Sequence, residues 1–221
     1  MRFLESLRPI TLMGLIAIGT VANANPVQAQ STEVLTVAGG CFWCVESDFE
    51  SVPGVTEAVS GYTGGKTENP TYKDVSRGGS GHYEAVQISF DPAKVSREHL
   101  LELFFRSVDP TDAGGQFCDR GESYRTAVFV SNEEEKTLAK QVISDAQEAL
   151  GRKVVTPVLP VKPFYEAEDY HQDYYKGESL VFTRFGPKRQ AAAYKRYRQA
   201  CGRDQRVAQL WGDAAPFAKD H

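Results

Sequence analysis

The alternation of apolar and polar positions divides the chain into short apolar runs and longer stretches with a helical stripe. Residues 34–37 are an apolar run closed by Gly39-Gly40, which predicts a buried strand, and 41–51 follows as a helix stopped at Pro53-Gly54. Further strands are predicted at 56–62 and at 84–90, where Ala85, Gln87 and Ser89 alternate with Val86, Ile88 and Phe90. The glycine-rich stretch 61–81 joins them. Ser96 is placed to cap a helix whose Leu100, Leu101, Phe104, Phe105 and Val108 share one face, ending near Asp109-Pro110. The loop that follows, 111–123, is long for a compact domain, and loops of that length usually serve function. Residues 125–130 read as a strand. Ser131 with Glu134 reads as a capping box for a helix carrying Leu138, Val142, Ala146 and Ala149 and stopping before Gly151. A strand at 154–161, a tyrosine-rich acidic helix at 165–176, a loop at 177–187 and a helix at 191–200 complete the pattern. Strands and helices alternate without regular βαβ repeats or a GxGxxG run, so the expected fold class is α+β, one domain with a mixed sheet flanked by helices.

The first 29 residues stand apart. Arg2 and Arg8 precede an uncharged run, 10–24, and two small-residue cut sites follow, Ala22-Asn23-Ala24 and Val27-Gln28-Ala29, the second being preferred. This is the layout of a cleaved signal peptide, and it predicts an exported, periplasmic protein. An uncleaved anchor is the alternative, against which the apolar run falls short of the ~20 residues a spanning helix needs. The expected division is a signal peptide at 1–29, a catalytic domain at 33–187 and a C-terminal helical extension at 188–221. Loss of residues 1–29 removes Arg2, Arg8 and Glu5, moving the net charge from −4 to −5. A mildly acidic chain has no reason to seek nucleic acid. Lys188, Arg189, Lys195, Arg196, Arg198, Arg203 and Arg206 interleave with alanines and tyrosines at helical spacing, which predicts a solvated helix face.

Four cysteines in an exported chain of 221 residues are ordinarily two disulfides. Cys41 and Cys44 resist that reading, because a bridge across two residues removes little unfolded-chain entropy. In Gly40-Cys41-Phe42-Trp43-Cys44 the first cysteine falls at a strand-to-helix turn, where unpaired N–H groups and the helix dipole favour a thiolate, and the second falls one turn on along the same face. A CxxC pair has three ordinary explanations: half a zinc site, a thioredoxin-like dithiol, or a nucleophile with its resolving partner. Zinc lacks a second ligand pair, since His82, His99, His171 and His221 are scattered. The bulky Phe42-Trp43 pair suits an apolar wall beside the sulfur.

That run, followed by Pro53-Gly54-Val55, Gly61-Tyr62-Thr63-Gly64-Gly65 and Asn69-Pro70-Thr71-Tyr72, resembles the peptide methionine sulfoxide reductase A family. The resemblance continues in order through Gly81-His82-Tyr83-Glu84-Ala85-Val86, Asp109-Pro110-Thr111, Asp119-Arg120-Gly121, Ser123-Tyr124-Arg125 and Ala167-Glu168-Asp169-Tyr170-His171-Gln172, spanning about 37–175. It implies a ferredoxin-like plait core with long coil segments. It also implies reduction of the S epimer of methionine sulfoxide, free or in proteins, by attack of Cys41 on the sulfoxide sulfur, leaving a sulfenic acid. No bound cofactor or metal is implied. The electron donor is a thioredoxin-like protein, or dithiothreitol in its place, and a monomer without stable membrane insertion is expected.

By the same resemblance Glu84 is the general acid, Tyr62 and Tyr124 hydrogen-bond the sulfoxide oxygen, Asp119 orders the pocket, and Phe42 and Trp43 hold the substrate methyl group. Without the family, Glu84 reads as a strand-end charge and the tyrosines as core packing. Many relatives have glycine where Cys44 stands and resolve the sulfenic acid from the C-terminus. Cys44 is the expected resolving residue here, with Cys201 and Cys118 as alternatives. For Cys118 a small buried residue, or a disulfide to Cys201, is the other reading.

Overall fold

The computed structural model describes residues 31–183 and 186–218, so the predicted signal peptide lies outside the described residues. The chain runs β1 (Glu33–Gly39), α1 (Phe42–Glu50), β2 (Val55–Thr63), α2 (Tyr72–Ser76), β3 (Tyr83–Phe90) and α3 (Arg97–Phe105). Two short strands, β4 (Gly115–Gln116) and β5 (Asp119–Arg120), lie in the long loop before β6 (Thr126–Val130), α4 (Glu133–Leu150), β7 (Val158–Pro160) and β8 (Tyr165–Glu166). A hairpin of β9 (Leu180–Thr183) and β10 (Gly186–Arg189) leads into α5 (Gln190–Cys201) and α6 (Arg203–Trp211).

Six strands form one sheet in the order β7-β6-β1-β3-β2-β8. Its four central members, β6-β1-β3-β2, are antiparallel, while β7 joins β6 in parallel. The central order is the ferredoxin-like plait. Alternation along the strands sends Leu35, Val37, Val86, Ile88 and Val128 to one face, where Val45 and Phe49 of α1 and the stripe of α3 bury them. The opposite face carries a smaller cluster of Ala38, Tyr83, Ala85, Ala127 and Phe129. The extension closes over this body: Val207 is buried, and the Phe217 ring lies 5.9 Å from that of Phe49.

Several expected elements differ. Residues 165–176 are not a helix: Tyr165–Glu166 pair with β2, and two single 3₁₀ turns follow, Asp169–His171 and Tyr174–Lys176. Tyr62 and Gln172 tie this segment to the sheet edge, which overrides its helical pattern. The stretch 177–187 contains the β9–β10 hairpin rather than a plain loop. The α4 cap sits one residue later than expected, with Asn132 accepting from Glu135 N–H and Glu135 accepting from Ser131 N–H. The late basic residues do not all face solvent either. Arg198 and Arg203 are 2% and 1% exposed, drawn inward by Asp48 on α1. Among the described residues no helix is long and apolar enough to cross a membrane.

Candidate active site

Gly40 breaks the chain between β1 and α1 with φ at +81°, and a Cβ there would come within 2.5 Å of the Gln116 side chain. Only glycine fits that turn. Cys41 is consequently the N-cap residue of α1, with its sulfur at the positive end of the helix. Gln116, wholly buried, fixes the wall opposite by bonding both the N–H (2.8 Å) and the carbonyl (2.9 Å) of Asp109.

Beside Cys41, β3 delivers Glu84, 2% exposed, whose carboxyl accepts from the first helical N–H, that of Phe42, at 3.1 Å. Burial dominates and pushes its pKa up to about 8, with the nearby Asp119 charge adding to the effect. Glu84 is therefore a neutral acid at neutral pH. Burial likewise raises Asp119, against the opposing influence of the Tyr197 hydroxyl, which donates to it, and of the Arg203 charge.

Cys41 and Cys44 are free thiols, 7% and 2% exposed, and they hydrogen-bond one another. Burial pushes Cys41 up. On Cys44 burial is outweighed by the Cys41 hydrogen bond and by the guanidinium groups of Arg203 and Arg198, which bring it down to about 7.

The aromatic wall is braced from behind. Trp43 stacks on Tyr174 with centroids 3.8 Å apart and donates from Nε1 to His171 Nδ1 at 3.2 Å. Burial pushes His171 down to about 4, which keeps it a neutral acceptor. Phe42 lies 5.1 Å from the same ring.

A small cavity of about 50 Å³ is lined by Cys41, Phe42, Trp43 and Glu84 together with Tyr72, Asp119, Tyr124 and Tyr197. A larger depression of 400 Å³ between α5 and α6, lined by Lys195, Gln199 and Gln205 among others, contains no thiol.

Of the residues expected from sequence, Cys41, Phe42, Trp43, Glu84, Asp119 and Tyr124 meet at the cavity. Tyr62 does not. It is fully buried in β2 with its hydroxyl on Glu168 at 2.9 Å, and Glu168 also holds the backbone N–H of Tyr72 at 2.9 Å. In its place the cavity holds Tyr72, from the Asn69-Pro70-Thr71-Tyr72 run, beside Tyr124. Tyr197 and His171 are the other contributors that sequence reasoning missed. His171 stands in the Ala167–Gln172 run and Tyr197 in the basic helix, and neither segment carries a sign of its role in sequence alone.

Cys118 and Cys201 form a disulfide with Cα atoms 4.8 Å apart, joining the long loop to the end of α5. Cys118 is exposed, not a buried small residue. Among the described residues, two groups bring possible metal-ligating atoms within 4.8 Å, Cys118 with Asp119 and Cys201, and Glu46 with Glu50 and Asp173. The first has its sulfurs in the disulfide. In the second, Glu46 is committed to Ser60 and the Asp173 N–H, and Glu50 to Tyr175 and Lys176.

A thiol at a helix start, a neutral buried carboxylic acid and hydroxyl donors around an apolar-walled slot define a thiol reductase of a small polar-oxygen substrate. The sequence profile of the family described as peptide methionine sulfoxide reductase matches residues 33–213. The "Peptide methionine sulfoxide reductase MsrA 2" of Rhizobium meliloti is 48% identical, over 89% of this chain and 92% of its own. The MsrA of Bacillus subtilis is 46% identical, over 83% and 98%. Among solved structures, reduced Mxr1 from Saccharomyces cerevisiae superposes with a TM-score of 0.64 at 29% identity, covering 67% of this chain and 87% of its own. Methionine sulfoxide reductase A of Corynebacterium diphtheriae gives 0.60 at 29% identity, over 68% and 76%. The chain belongs to the peptide methionine sulfoxide reductase family, in its MsrA branch. It is an oxidoreductase that reduces methionine sulfoxide.

Proposed function

We propose that the chain repairs oxidised proteins by reducing the S epimer of methionine sulfoxide, with Cys41 as nucleophile and Glu84 as general acid. The observation that carries this is Glu84 itself, buried against the Phe42 N–H beside Cys41 and neutral at working pH. The sulfoxide oxygen takes the Glu84 proton as the Cys41 sulfur attacks the substrate sulfur. The proton lost by Cys41 restores Glu84, methionine leaves, and Cys41 holds the oxygen as a sulfenic acid. Tyr72 and Tyr124 are suited to hydrogen-bond the sulfoxide oxygen, and Phe42 and Trp43 to hold the methyl group. Asp119, fixed by Tyr197, orders the remaining wall.

Cys44 then resolves the sulfenic acid as a Cys41–Cys44 disulfide, which a thioredoxin-like protein or dithiothreitol reduces. The test is thioredoxin-driven turnover: Cys44→Ser should release one methionine per enzyme and lose most recycling, while Cys118→Ser and Cys201→Ser should recycle nearly normally. A second reading of the reductive half is favoured by one observation, that Cys118 is exposed while Cys41 and Cys44 are buried. In it, Cys118 and Cys201 take over the disulfide and present it to the reductant. Loss of recycling in Cys201→Ser as well as in Cys44→Ser would decide for that route.

The charged start, apolar run and small-residue cut site at 1–29 support export to the periplasm with a mature N-terminus near Gln30. A secreted mass that retains Met1 would contradict this.

A further inference from the structure

We propose that Arg203 is the positioning residue of the resolving step: its buried guanidinium, carried in by the C-terminal extension, holds negative charge on the Cys44 sulfur for attack on the Cys41 sulfenic acid. This rests on the reading of Cys44 as the resolving cysteine. Cys44 and Asp48 are four residues apart on α1 and so share a face. Two arginines from the extension converge on that face. Arg198 is fully engaged there, with Asp48 at 2.7 Å, Asp204 at 2.6 Å and the Tyr194 hydroxyl at 3.0 Å. Arg203 is not. It is 1% exposed, its Nη1 donates to the Gly39 carbonyl at 3.1 Å, and its Nε stands 3.9 Å from Asp48. Its Nε and Nη2 have no hydrogen-bond acceptor among the described residues, and its charge lies over the Phe117 ring at 4.9 Å.

A buried guanidinium with unspent donors is costly, and such a group is retained where an acceptor develops during function. The Cys44 thiolate is that acceptor. Gly39, which anchors Arg203, lies two residues before Cys41, so the cation is tied to the strand end that carries the nucleophile. The lowered Cys44 thiol agrees with this, Arg203 acting more strongly on it than Arg198. In the step itself the Cys44 thiolate attacks the Cys41 sulfur, an S–S bond forms, the S–O bond breaks, and the hydroxide released takes the proton Cys44 gave up, leaving water. Cys44 is oxidised and Cys41 reduced, so no outside oxidant enters.

The titratable groups facing Cys44 are Cys41 at the N-cap of α1, Asp48 from α1, Glu84 from β3, Tyr194, Tyr197 and Arg198 from α5, and Arg203 from α6. Arg203 is the cation among them that no carboxylate claims within hydrogen-bond distance.

The experiment is a single turnover of reduced full-length enzyme with a methionine sulfoxide peptide, quenched at intervals with an alkylating agent and mapped for disulfides. In Arg203→Met, formation of the Cys41–Cys44 disulfide should slow tenfold or more relative to the methionine burst. Sulfenic acid should accumulate to a dimedone adduct, and the pH midpoint of disulfide formation should rise. Arg203→Lys, which keeps the charge, should recover the rate to within threefold. Disulfide formation that keeps pace with the burst in Arg203→Met, at an unchanged midpoint, would overturn the proposal. So would a folded Arg203→Lys that is as slow as the methionine variant. A wild-type disulfide mapping from Cys41 to Cys118 or Cys201 would instead remove the reading on which the proposal rests.

Discussion

Glu84 is held between two influences, burial that favours the neutral acid and the Phe42 N–H that favours the anion, and burial wins. Because its pKa sits at about 8, the acid is present below that pH and lost above it, so the reductive step should fall as pH rises through about 8. Glu84→Gln should slow that step about 10²-fold or more and flatten the upper limb of the profile. An unchanged single-turnover rate would leave Glu84 with a merely structural place. The two candidate tyrosines separate in the same assay. Tyr72→Phe should lower the single-turnover rate at unchanged fold, whereas Tyr62→Phe should act through the position of Glu168 and reduce thermal stability first. Cys41 is legible from its place at a strand-to-helix turn, whereas Glu84 and Asp119 are legible only through the family resemblance of the ordered motifs that carry them. The tyrosines were not separable, since Tyr62 and Tyr72 both stand in glycine- and proline-rich runs and only the three-dimensional path of 63–72 decides which ring meets the sulfur.

At the scale of elements, β1, α1, β3 and α3 follow directly from period and caps, and these are the elements that position Cys41 and Glu84. Segment 165–176 does not, and although the helix at 191–200 is observed as α5, its expected solvated basic face is not, because their tyrosines and charges are spent on tertiary partners that a one-dimensional pattern omits. Tyr197 is the instance with the greatest consequence. It meets Trp43 edge-on at 6.0 Å, donates to Asp119, and sits one turn before Cys201, whose bond to Cys118 pins the same helix to the same loop. Tyr197→Phe should therefore raise KM more than it lowers kcat, as a loosened wall would. The Cys118–Cys201 bond spans a sequence separation of 83 residues. In the chain-entropy account a loop of that length contributes about 4–5 kcal/mol, so Cys201→Ser should lower Tm markedly, read by calorimetry without reductant. A Tm within a degree of wild type would show that the extension stays seated without its bridge.

Across the molecule, burial raises the Glu46 carboxyl to about 7 and the Glu84 carboxyl to about 8. The folded chain thus binds protons that the unfolded chain, with ordinary carboxylates near 4.5, has already released. The contribution of these two acids to stability is fully present below about pH 4.5 and is lost as pH rises toward 8, offset in part below pH 6.5 by the lowered His171; Glu46→Gln should flatten the lower part of that decline in denaturant titrations. A stability curve that climbs between pH 5 and 8 and is untouched by Glu46→Gln would contradict it. The same economy governs the catalytic cycle, in which a single sulfur at the end of a buried helix carries the oxygen. The most direct test is a quench-flow count of methionine formed by pre-reduced enzyme with no reductant present. Wild-type enzyme should give one methionine per chain with loss of two thiols and a Cys41–Cys44 disulfide, and Cys41→Ser none. Methionine formed by Cys41→Ser would contradict the account.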